Sequence, residues 1–212
     1  MMTNELHLLP KVFETLELIS KEFDVIKIDR KNTLNQLGKF IQEKAHHDDN
    51  VNLNFICTHN SRRSHMAQLW SQAAALYYQV PNVFCFSGGT VATAFNQNAV
   101  NALQYFGFQI SKASETENPL YLVRFSETDL VVEAFSKRFD DPVNPQDNFV
   151  AILTCSDADE ACPVVPGASA RFLIKYDDPK MFDGTELEQQ KYRETALEIG
   201  REMMFAFSRI NS

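Results

Sequence analysis

The sequence predicts an α/β domain built around a parallel β-sheet. Short apolar runs typical of strands alternate with segments whose apolar residues recur at helical spacing. A chain of 212 residues with 44% hydrophobic residues and 17 Phe can bury one sizeable core. A polar turn over residues 57–64 joins a predicted strand directly to a helix, which is where α/β folds bind anions. We therefore expect a single α/β unit with an anion site at one edge of its sheet.

The N-terminal region is predicted to be helical in two pieces between residues 5 and 48. Apolar side chains recur there at intervals of three and four, at Leu6, Leu9, Val12, Phe13, Leu16, Ile19 and Phe23, then at Leu34, Leu37 and Ile41. Asn32 and Thr33 are candidates to cap the second piece. The polar run HHDDN closes this region.

Strands and helices alternate from residue 51 onward. The predicted elements are a strand at 51–56, a helix at about 63–79, a strand at 82–87, a helix at about 96–106, strands at 149–154 and 170–176, and a helix at about 186–208. Strands joined through helices are connected by right-handed crossovers, so this order indicates a parallel sheet. Residues 114–148 break the alternation, because YLVRF and LVVEAF flank SETD as in a hairpin and DDPVNPQDN is a Pro-rich loop. We predict that they form an insertion.

Composition excludes several classes of protein. The net charge of −8 and the absence of a basic stripe argue against a nucleic-acid partner. No apolar run approaches the ~20 residues that span a bilayer, and the N-terminus lacks a secretory signal pattern, so we expect a cytoplasmic protein without a membrane partner. Its 4 cysteines are then expected to be reduced thiols or catalytic groups. Cys85, inside the apolar run VFCFS, is expected to be a small buried hydrophobe.

The turn from Cys57 to Ser64 has the residue types of an oxyanion-binding loop with a nucleophile beneath it. Successive backbone N–H groups can point at one tetrahedral oxyanion, and the start of the next helix adds partial positive charge. Arg63 can clamp two oxygens, Ser64 can donate a hydrogen bond to the Cys57 sulfur, and the positive potential favours the thiolate. The expected oxyanion-binding residues are Thr58, His59, Asn60, Ser61, Arg62, Arg63 and Ser64.

The alternative for this turn is that Cys57 is an ordinary buried residue and Arg63 a solvated one. A cysteine and an arginine at this spacing occur by chance fairly often, so the pair alone is weak evidence. The strand before the turn, the helix after it, Ser64 and the tolerance of Asn60 for a left-handed backbone favour the oxyanion loop. A thiol under such a loop predicts covalent catalysis.

The loop CTHNSRRSHMAQLW resembles the active-site loop of the low-molecular-weight protein tyrosine phosphatase superfamily, most of all that of its thioredoxin-coupled arsenate reductases. The resemblance continues through FSGGT, NAVNALQYFGFQIS, ILTCSDADEACP and YDDP, and covers about residues 51–208 apart from the insertion. It implies a four-stranded parallel sheet with helices on both faces, a three-layer α/β/α fold. Residues 1–50 would then be an N-terminal helical extension, and residues 51–212 the reductase-like domain with its insertion.

The segment KYDDP contains the candidate general acid. In the resembled family the aspartate just before the proline protonates the departing oxygen, which implies Asp178 rather than Asp177. Pro179 would stiffen its placement. The alternative is a plain turn, in which Asp and Pro are common.

A second pair of thiols, Cys155 and Cys162, borders a short acidic loop directly after a strand. In a parallel sheet that strand ends on the same edge as the oxyanion loop. The resemblance implies a relay without a bound cofactor or metal. Cys57 attacks arsenate with assistance from Asp178, Cys155 attacks the Cys57 adduct and releases arsenite, and Cys162 moves the disulfide outward to a thioredoxin-like reductant.

Several alternatives remain open at this stage. A phosphatase acting on phosphate monoesters needs only Cys57, Arg63 and Asp178, and a non-catalytic oxyanion or redox sensor needs no turnover. The second thiol pair could be structural, or could join a metal site with histidines. We expect no metal, because no tight Cys or His pair has common zinc spacing. The histidines concerned are His46, His47 and His59.

The sequence departs from the family pattern at three places. His59 stands where the family usually has Gly, and Arg62 stands where a second cysteine often lies. The third is the 114–148 insertion, which is expected to close over the loop, to form a dimer contact, or simply to pack. Its candidate lid residues are Tyr121, Phe125, Phe135 and Phe139.

Overall fold

From residue 51 onward, outside the insertion, helices and strands follow the predicted alternation. Two local predictions were wrong: the segment after Cys155 is a short helix rather than a loop, and Asn32 and Thr33 lie inside a helix that begins at Ile28 rather than at its cap. The computed structural model describes residues 7–46, 50–161 and 164–210. The helices are α1 (Pro10–Ser20), α2 (Ile28–His46), α3 (Arg63–Tyr77), α4 (Gln97–Tyr105), α5 (Ser156–Ala161) and α6 (Glu188–Phe207). The strands are β1 (Val51–Cys57), β2 (Val83–Gly89), β3 (Gln109–Lys112), β4 (Tyr121–Arg124), β5 (Val132–Ala134), β6 (Phe149–Leu153) and β7 (Ala168–Leu173).

Four of these strands form a parallel sheet with the order β2-β1-β6-β7. This confirms the predicted four-stranded parallel sheet. β1 lies in the interior of the sheet, and its last residue, Cys57, stands opposite Gly89 of β2. Because the strands are parallel, their carboxyl ends share one edge, and the turn after Cys57 lies at that edge.

The two faces of this sheet bury cores of different size. Along β6, Val150 and Ile152 join a large cluster with residues of α1, α2, α3, α4 and α6. The alternate residues Phe149, Ala151 and Leu153 join a small cluster with Ala158 of α5. Five helices therefore contribute to one face, and the short α5 covers the other beside the carboxyl ends of the strands.

The N-terminal helices share the large core. Leu16 of α1 and Leu34 of α2 are fully buried in it, and both helices pack against α6. An ion pair between Arg201 Nη2 and Glu22 Oε2, at 2.7 Å, ties the segment after α1 to α6. The division into an extension and a domain stays a prediction, but residues 7–46 are packed into the rest of the chain.

Residues 109–134 form a separate antiparallel sheet with the order β3-β4-β5. The predicted hairpin is present, with Tyr121 of β4 opposite Ala134 of β5. β3 was not predicted. Its sequence, QISK, has a single large apolar residue and so lacks the apolar pattern of a strand, and β3 forms by antiparallel pairing with β4. Tyr121 and Phe125 are buried, so these two aromatic residues pack in the interior.

A buried carboxyl group, that of Glu202 on α6, lies between α6 and α2. Its side chain is 7% exposed, and Glu202 Oε1 lies 3.3 Å from Arg30 Nε. Burial raises the pKa of Glu202 to about 7, although the nearby Arg30 charge acts in the opposite direction. The folded chain therefore holds this proton more tightly than the unfolded chain does.

This difference predicts a pH dependence of stability. A carboxyl group with a raised folded pKa stabilises the fold below the unfolded pKa of about 4.5, and that contribution is lost as pH rises through about 7. We expect the free energy of unfolding of the wild type to fall by a few kcal/mol relative to Glu202→Gln between about pH 5 and about pH 8. Guanidinium unfolding of both proteins at the two pH values measures it. Equal pH slopes would contradict the prediction.

Candidate functional site

The turn between β1 and α3 folds tightly around the Cys57 sulfur. Asn60 has a φ of 43°, the left-handed conformation that its residue type tolerates, and it is fully buried. This conformation directs the Asn60 N–H toward the sulfur, with 3.1 Å between N and Cys57 Sγ. Asparagine at position 60 thus allows the backbone N–H of that residue to point at the predicted nucleophile, the Cys57 sulfur.

Ser64, on the first turn of α3, also contacts the sulfur. Its Oγ lies 3.1 Å from Cys57 Sγ and accepts a hydrogen bond of 2.9 Å from Asn60 Nδ2. Because Oγ already accepts from the amide, its own hydrogen is available to the sulfur. The buried Cys57 sulfur therefore has a backbone donor and a hydroxyl beside it, and both stabilise negative charge on sulfur.

The chain after β2 holds the loop from one side. Thr90 N donates to Cys57 O at 3.1 Å, and Val91 N donates to Thr58 O at 2.9 Å. Gly89 has no space for a side chain, since a Cβ there would lie 2.7 Å from Asn60 N. The glycine in FSGGT therefore permits the close approach of the two strand ends that frames the loop.

Arg63 and Asp178 meet at the mouth of the loop. Arg63 Nη2 lies 2.7 Å from Asp178 Oδ2, and Arg63 Nη1 donates to Tyr176 O at 2.9 Å. Asp178 caps the short 3₁₀ helix Pro179–Phe182 by accepting from Lys180 N. The structure thus brings the predicted acid to the predicted clamp, while Asp177 is exposed.

Arg62 has a set of partners that the sequence did not suggest. Its Nε donates to Tyr192 OH at 2.8 Å, and its Nη2 lies 3.5 Å from Asp183 Oδ2. Tyr192 OH in turn donates to Asp183 Oδ1 at 2.7 Å, and burial raises the Tyr192 pKa to about 12. Arg62 Nε also lies 4.0 Å from Asp178 Oδ1. A second guanidinium therefore stands beside the candidate acid.

The second predicted thiol, Cys155, contacts the same loop. Cys155 is the second residue after the end of β6. It is buried, and its Sγ lies 3.4 Å from Thr58 Oγ1. The shared strand edge explains this proximity, because β6 pairs directly with β1. Cys162, the third thiol of the predicted relay, lies outside the described residues.

The remaining loop residues divide into exposed and buried ones. His59 is exposed at the mouth of the loop, and its carbonyl accepts from Thr93 Oγ1 at 3.0 Å. Ser61 is buried and donates to Ala94 O at 2.7 Å. Asn96 N also donates to Ser61 O at 2.9 Å, so the backbone of both residues is anchored to the segment that follows β2.

The alternative in which the second thiol pair joins a metal site has no candidate cluster among the residues that the structure describes. Within that part of the chain, no three His, Cys, Asp or Glu side chains cluster closely enough to hold an ion. His47 lies outside the described residues and the side chain of His46 is not described, so their part in that alternative stays open. Among the described helices, none is long and apolar enough to cross a membrane.

His65, one residue beyond Ser64, is a buried ring rather than a charged group. It stacks on Phe95 with 4.1 Å between ring centroids. Burial lowers the His65 pKa well below its usual value, and the charge of Lys137 lowers it further. The imidazole is therefore neutral at neutral pH.

The chain is similar in sequence to bacterial arsenate reductases. It is 29% identical over 148 residues to the arsenate reductase of Halalkalibacterium halodurans, which covers 69% of this chain and 88% of that relative. It is 30% identical over 141 residues to the arsenate reductase of Bacillus subtilis strain 168, which covers 66% of this chain and 83% of that relative. The chain matches no model of a known protein family.

A solved structure shows the same fold at much lower identity. The low-molecular-weight phosphotyrosine phosphatase of Vibrio cholerae O395 superposes with a TM-score of 0.50 and 15% identity, covering 74% of this chain and 94% of the other. At that identity the likeness concerns the fold alone. It agrees with the four-stranded parallel sheet and its surrounding helices.

Proposed function

The chain belongs to the arsenate reductases, and we propose that it reduces arsenate to arsenite with Cys57 as the nucleophile. The observation that carries this proposal is the contact between the loop and a second thiol. Thr58 Oγ1 lies 3.4 Å from Cys155 Sγ, in the loop that holds the Cys57 sulfur. A phosphatase needs one thiol, whereas a reductase needs a second within reach of the first.

In the first step the loop binds arsenate through its backbone N–H groups and Arg63. The Cys57 thiolate attacks arsenic of monohydrogen arsenate, the bond from arsenic to its hydroxyl oxygen breaks, and that hydroxyl leaves as water with a proton supplied by Asp178. The position of Asp178 supports this role, because its Oδ2 lies 2.7 Å from Arg63 Nη2 at the mouth of the loop. The product is a Cys57 sulfur bound to As(V).

In the second step the Cys155 thiolate attacks the Cys57 sulfur. The sulfur–arsenic bond breaks, its electron pair stays on arsenic, and arsenite leaves as As(III). The two thiols are oxidised to one disulfide, which balances the two electrons gained by arsenic. Both cysteines are buried, and Thr58, which contacts Cys155 Sγ, directly follows Cys57 in the chain, which supports a direct transfer between the two thiols.

In the third step Cys162 attacks Cys155 and carries the disulfide outward. A thioredoxin-like dithiol then reduces the Cys155–Cys162 disulfide and restores the enzyme. We place this cycle in the cytoplasm, because it requires thiols that are kept reduced. The segment between the two cysteines forms α5, which packs Ala158 into the small core and exposes Asp157 and Glu160, so this transfer requires α5 to rearrange.

The second candidate function is hydrolysis of phosphate monoesters. The three groups that it needs are the Cys57 thiol, the Arg63 guanidinium and the Asp178 carboxyl. The contact between Arg63 and Asp178 serves this reaction as well as the first. The two candidates differ only in what happens to the covalent intermediate, which water would hydrolyse in the phosphatase.

Two assays on the purified wild-type chain test the proposal. We expect arsenate-dependent oxidation of NADPH in the presence of thioredoxin and thioredoxin reductase, with arsenite as the product. Hydrolysis of p-nitrophenyl phosphate is expected to be slow beside it. Ester hydrolysis without arsenate-dependent oxidation would instead assign the phosphatase function. Phosphate binding without either turnover would assign the sensor.

A further inference from the structure

The 114–148 insertion returns to the edge of the central sheet beside the oxyanion loop. Phe139 N donates to Gly89 O at 2.9 Å, and Gly89 N donates to Lys137 O at 2.9 Å. Residues 136–139, which we call the flanking segment, thus run parallel to the end of β2. Gly89 of β2 pairs with Cys57 of β1, so the flanking segment lies on the far side of β2 from the strand that carries the nucleophile.

Two hydrogen bonds run from the flanking segment into the loop. Ser136 Oγ donates to His59 O at 3.0 Å, and Lys137 N donates to Asn60 Oδ1 at 2.8 Å. Ser136 Oγ also accepts from Thr93 N at 2.8 Å. The bond to Asn60 is buried, and Asn60 itself is fully buried, whereas the bond to His59 O is partly buried at the Ser136 end, which is 2% exposed.

The bond to Asn60 reaches the sulfur through one further side chain. With Oδ1 held by Lys137 N, the Asn60 amide must present Nδ2 to Ser64 Oγ, which lies 3.1 Å from Cys57 Sγ. The backbone N–H of the same Asn60 donates to that sulfur. The flanking segment therefore fixes the residue that supplies both contacts to the nucleophile.

Asn118, from the turn before β4, fixes the flanking segment in turn. Ser136 N donates to Asn118 Oδ1 at 3.1 Å, and Asn118 Nδ2 donates to Ser136 O at 2.7 Å. This pair of bonds holds the Ser136 backbone from the side away from the loop. The described hydrogen bonds thus form a continuous path from Asn118 through Ser136 to His59.

We infer that Ser136 is a positioning residue for the oxyanion loop and that the 114–148 insertion is a fixed wall of this site rather than a lid. Ser136 touches no substrate in this role, and it acts by setting the backbone of His59 and Asn60. The role rests on the proposed function, because it concerns oxyanion binding by the same loop. It differs from both functional expectations for the insertion, a closing lid and a dimer contact.

The test compares the affinity for inorganic phosphate in the wild type and in Ser136→Ala by titration calorimetry. We expect Ser136→Ala to weaken phosphate binding about five- to tenfold, the effect of losing the one hydrogen bond from Ser136 Oγ to the loop, at His59 O. The value of kcat/KM for arsenate is expected to fall at least as far. Ser136→Thr restores the hydroxyl and is expected to restore most of the affinity. Asn118→Ala is expected to weaken binding in the same direction without touching the loop.

Ser114→Ala is the matched control. Ser114 Oγ accepts from Leu120 N at 2.9 Å inside the same insertion, so this variant also loses a serine hydrogen bond, but none that reaches the loop. It is expected to lower Tm without changing phosphate affinity. Unchanged affinity in Ser136→Ala, or an equal loss in Ser114→Ala, would overturn the positioning role. A loss confined to Ser136 and Asn118 variants in a chain that reduces no arsenate would support the role while contradicting the proposed reaction.

Discussion

A Cys57→Ser variant is expected to bind phosphate but to reduce no arsenate and hydrolyse no phosphate ester. A serine hydroxyl stays protonated at neutral pH and is a weak nucleophile without an adjacent base. It also cannot form a disulfide, so both steps that use this sulfur are lost. The loop N–H groups and Arg63 are unchanged, so the affinity for phosphate is expected to stay within about threefold of the wild type.

The measurement pairs the two turnover assays with titration of phosphate into the variant. Cys85→Ala is the matched control, because Cys85 is a buried thiol of β2 whose pKa is raised by burial alone. It is expected to keep full arsenate reduction. Residual arsenate turnover in Cys57→Ser would exclude Cys57 as the nucleophile. Wild-type rates that vanish in this variant would exclude a non-catalytic sensor.

The sequence was sufficient to predict the central sheet and the geometry of the loop around Cys57. The strands and helices around it differ clearly in the period of their apolar residues, and β1 in particular reads as an apolar alternation ending at Cys57. The loop was predictable because its chemistry lies in eight consecutive residues. The left-handed Asn60 and the Ser64 contact with sulfur follow from the properties of those residue types.

The supporting contacts of the site were not predictable in the same way. Tyr192, which accepts from Arg62, carries only the helical spacing of a core residue in the sequence. Ser136 bonds to a loop residue 77 positions earlier, and nothing local marks it. Both contacts depend on how α6 and the insertion pack, which is a tertiary property. The predicted strand at 170–176 corresponds to β7, which ends at Leu173. Beyond it, Ile174 N and Tyr176 N still donate to Leu153 O and Thr154 O, so the chain follows β6 as far as the predicted end.

A Cys155→Ser variant is expected to lose arsenate-dependent NADPH oxidation completely while keeping p-nitrophenyl phosphate hydrolysis within about twofold of the wild type. The ester reaction uses Cys57, Arg63 and Asp178, none of which is changed. Arsenate reduction needs a thiol to attack the Cys57 sulfur, and a hydroxyl at position 155 cannot do so. The introduced hydroxyl would still offer Thr58 a hydrogen-bonding partner, so the loop itself is expected to be undisturbed.

The comparison of two activities in this one variant separates chemistry from folding. A misfolded protein would lose both activities, whereas a broken relay loses only the one that consumes reducing equivalents. Mixing the variant with arsenate is also expected to leave its thiols reduced, since no disulfide partner for Cys57 remains beside Thr58. Coupled oxidation that continues without Cys155 would mean that an external thiol resolves the Cys57 adduct directly. The contact between Thr58 and Cys155 would then be packing, and the reductant would have to reach the buried Cys57 sulfur itself.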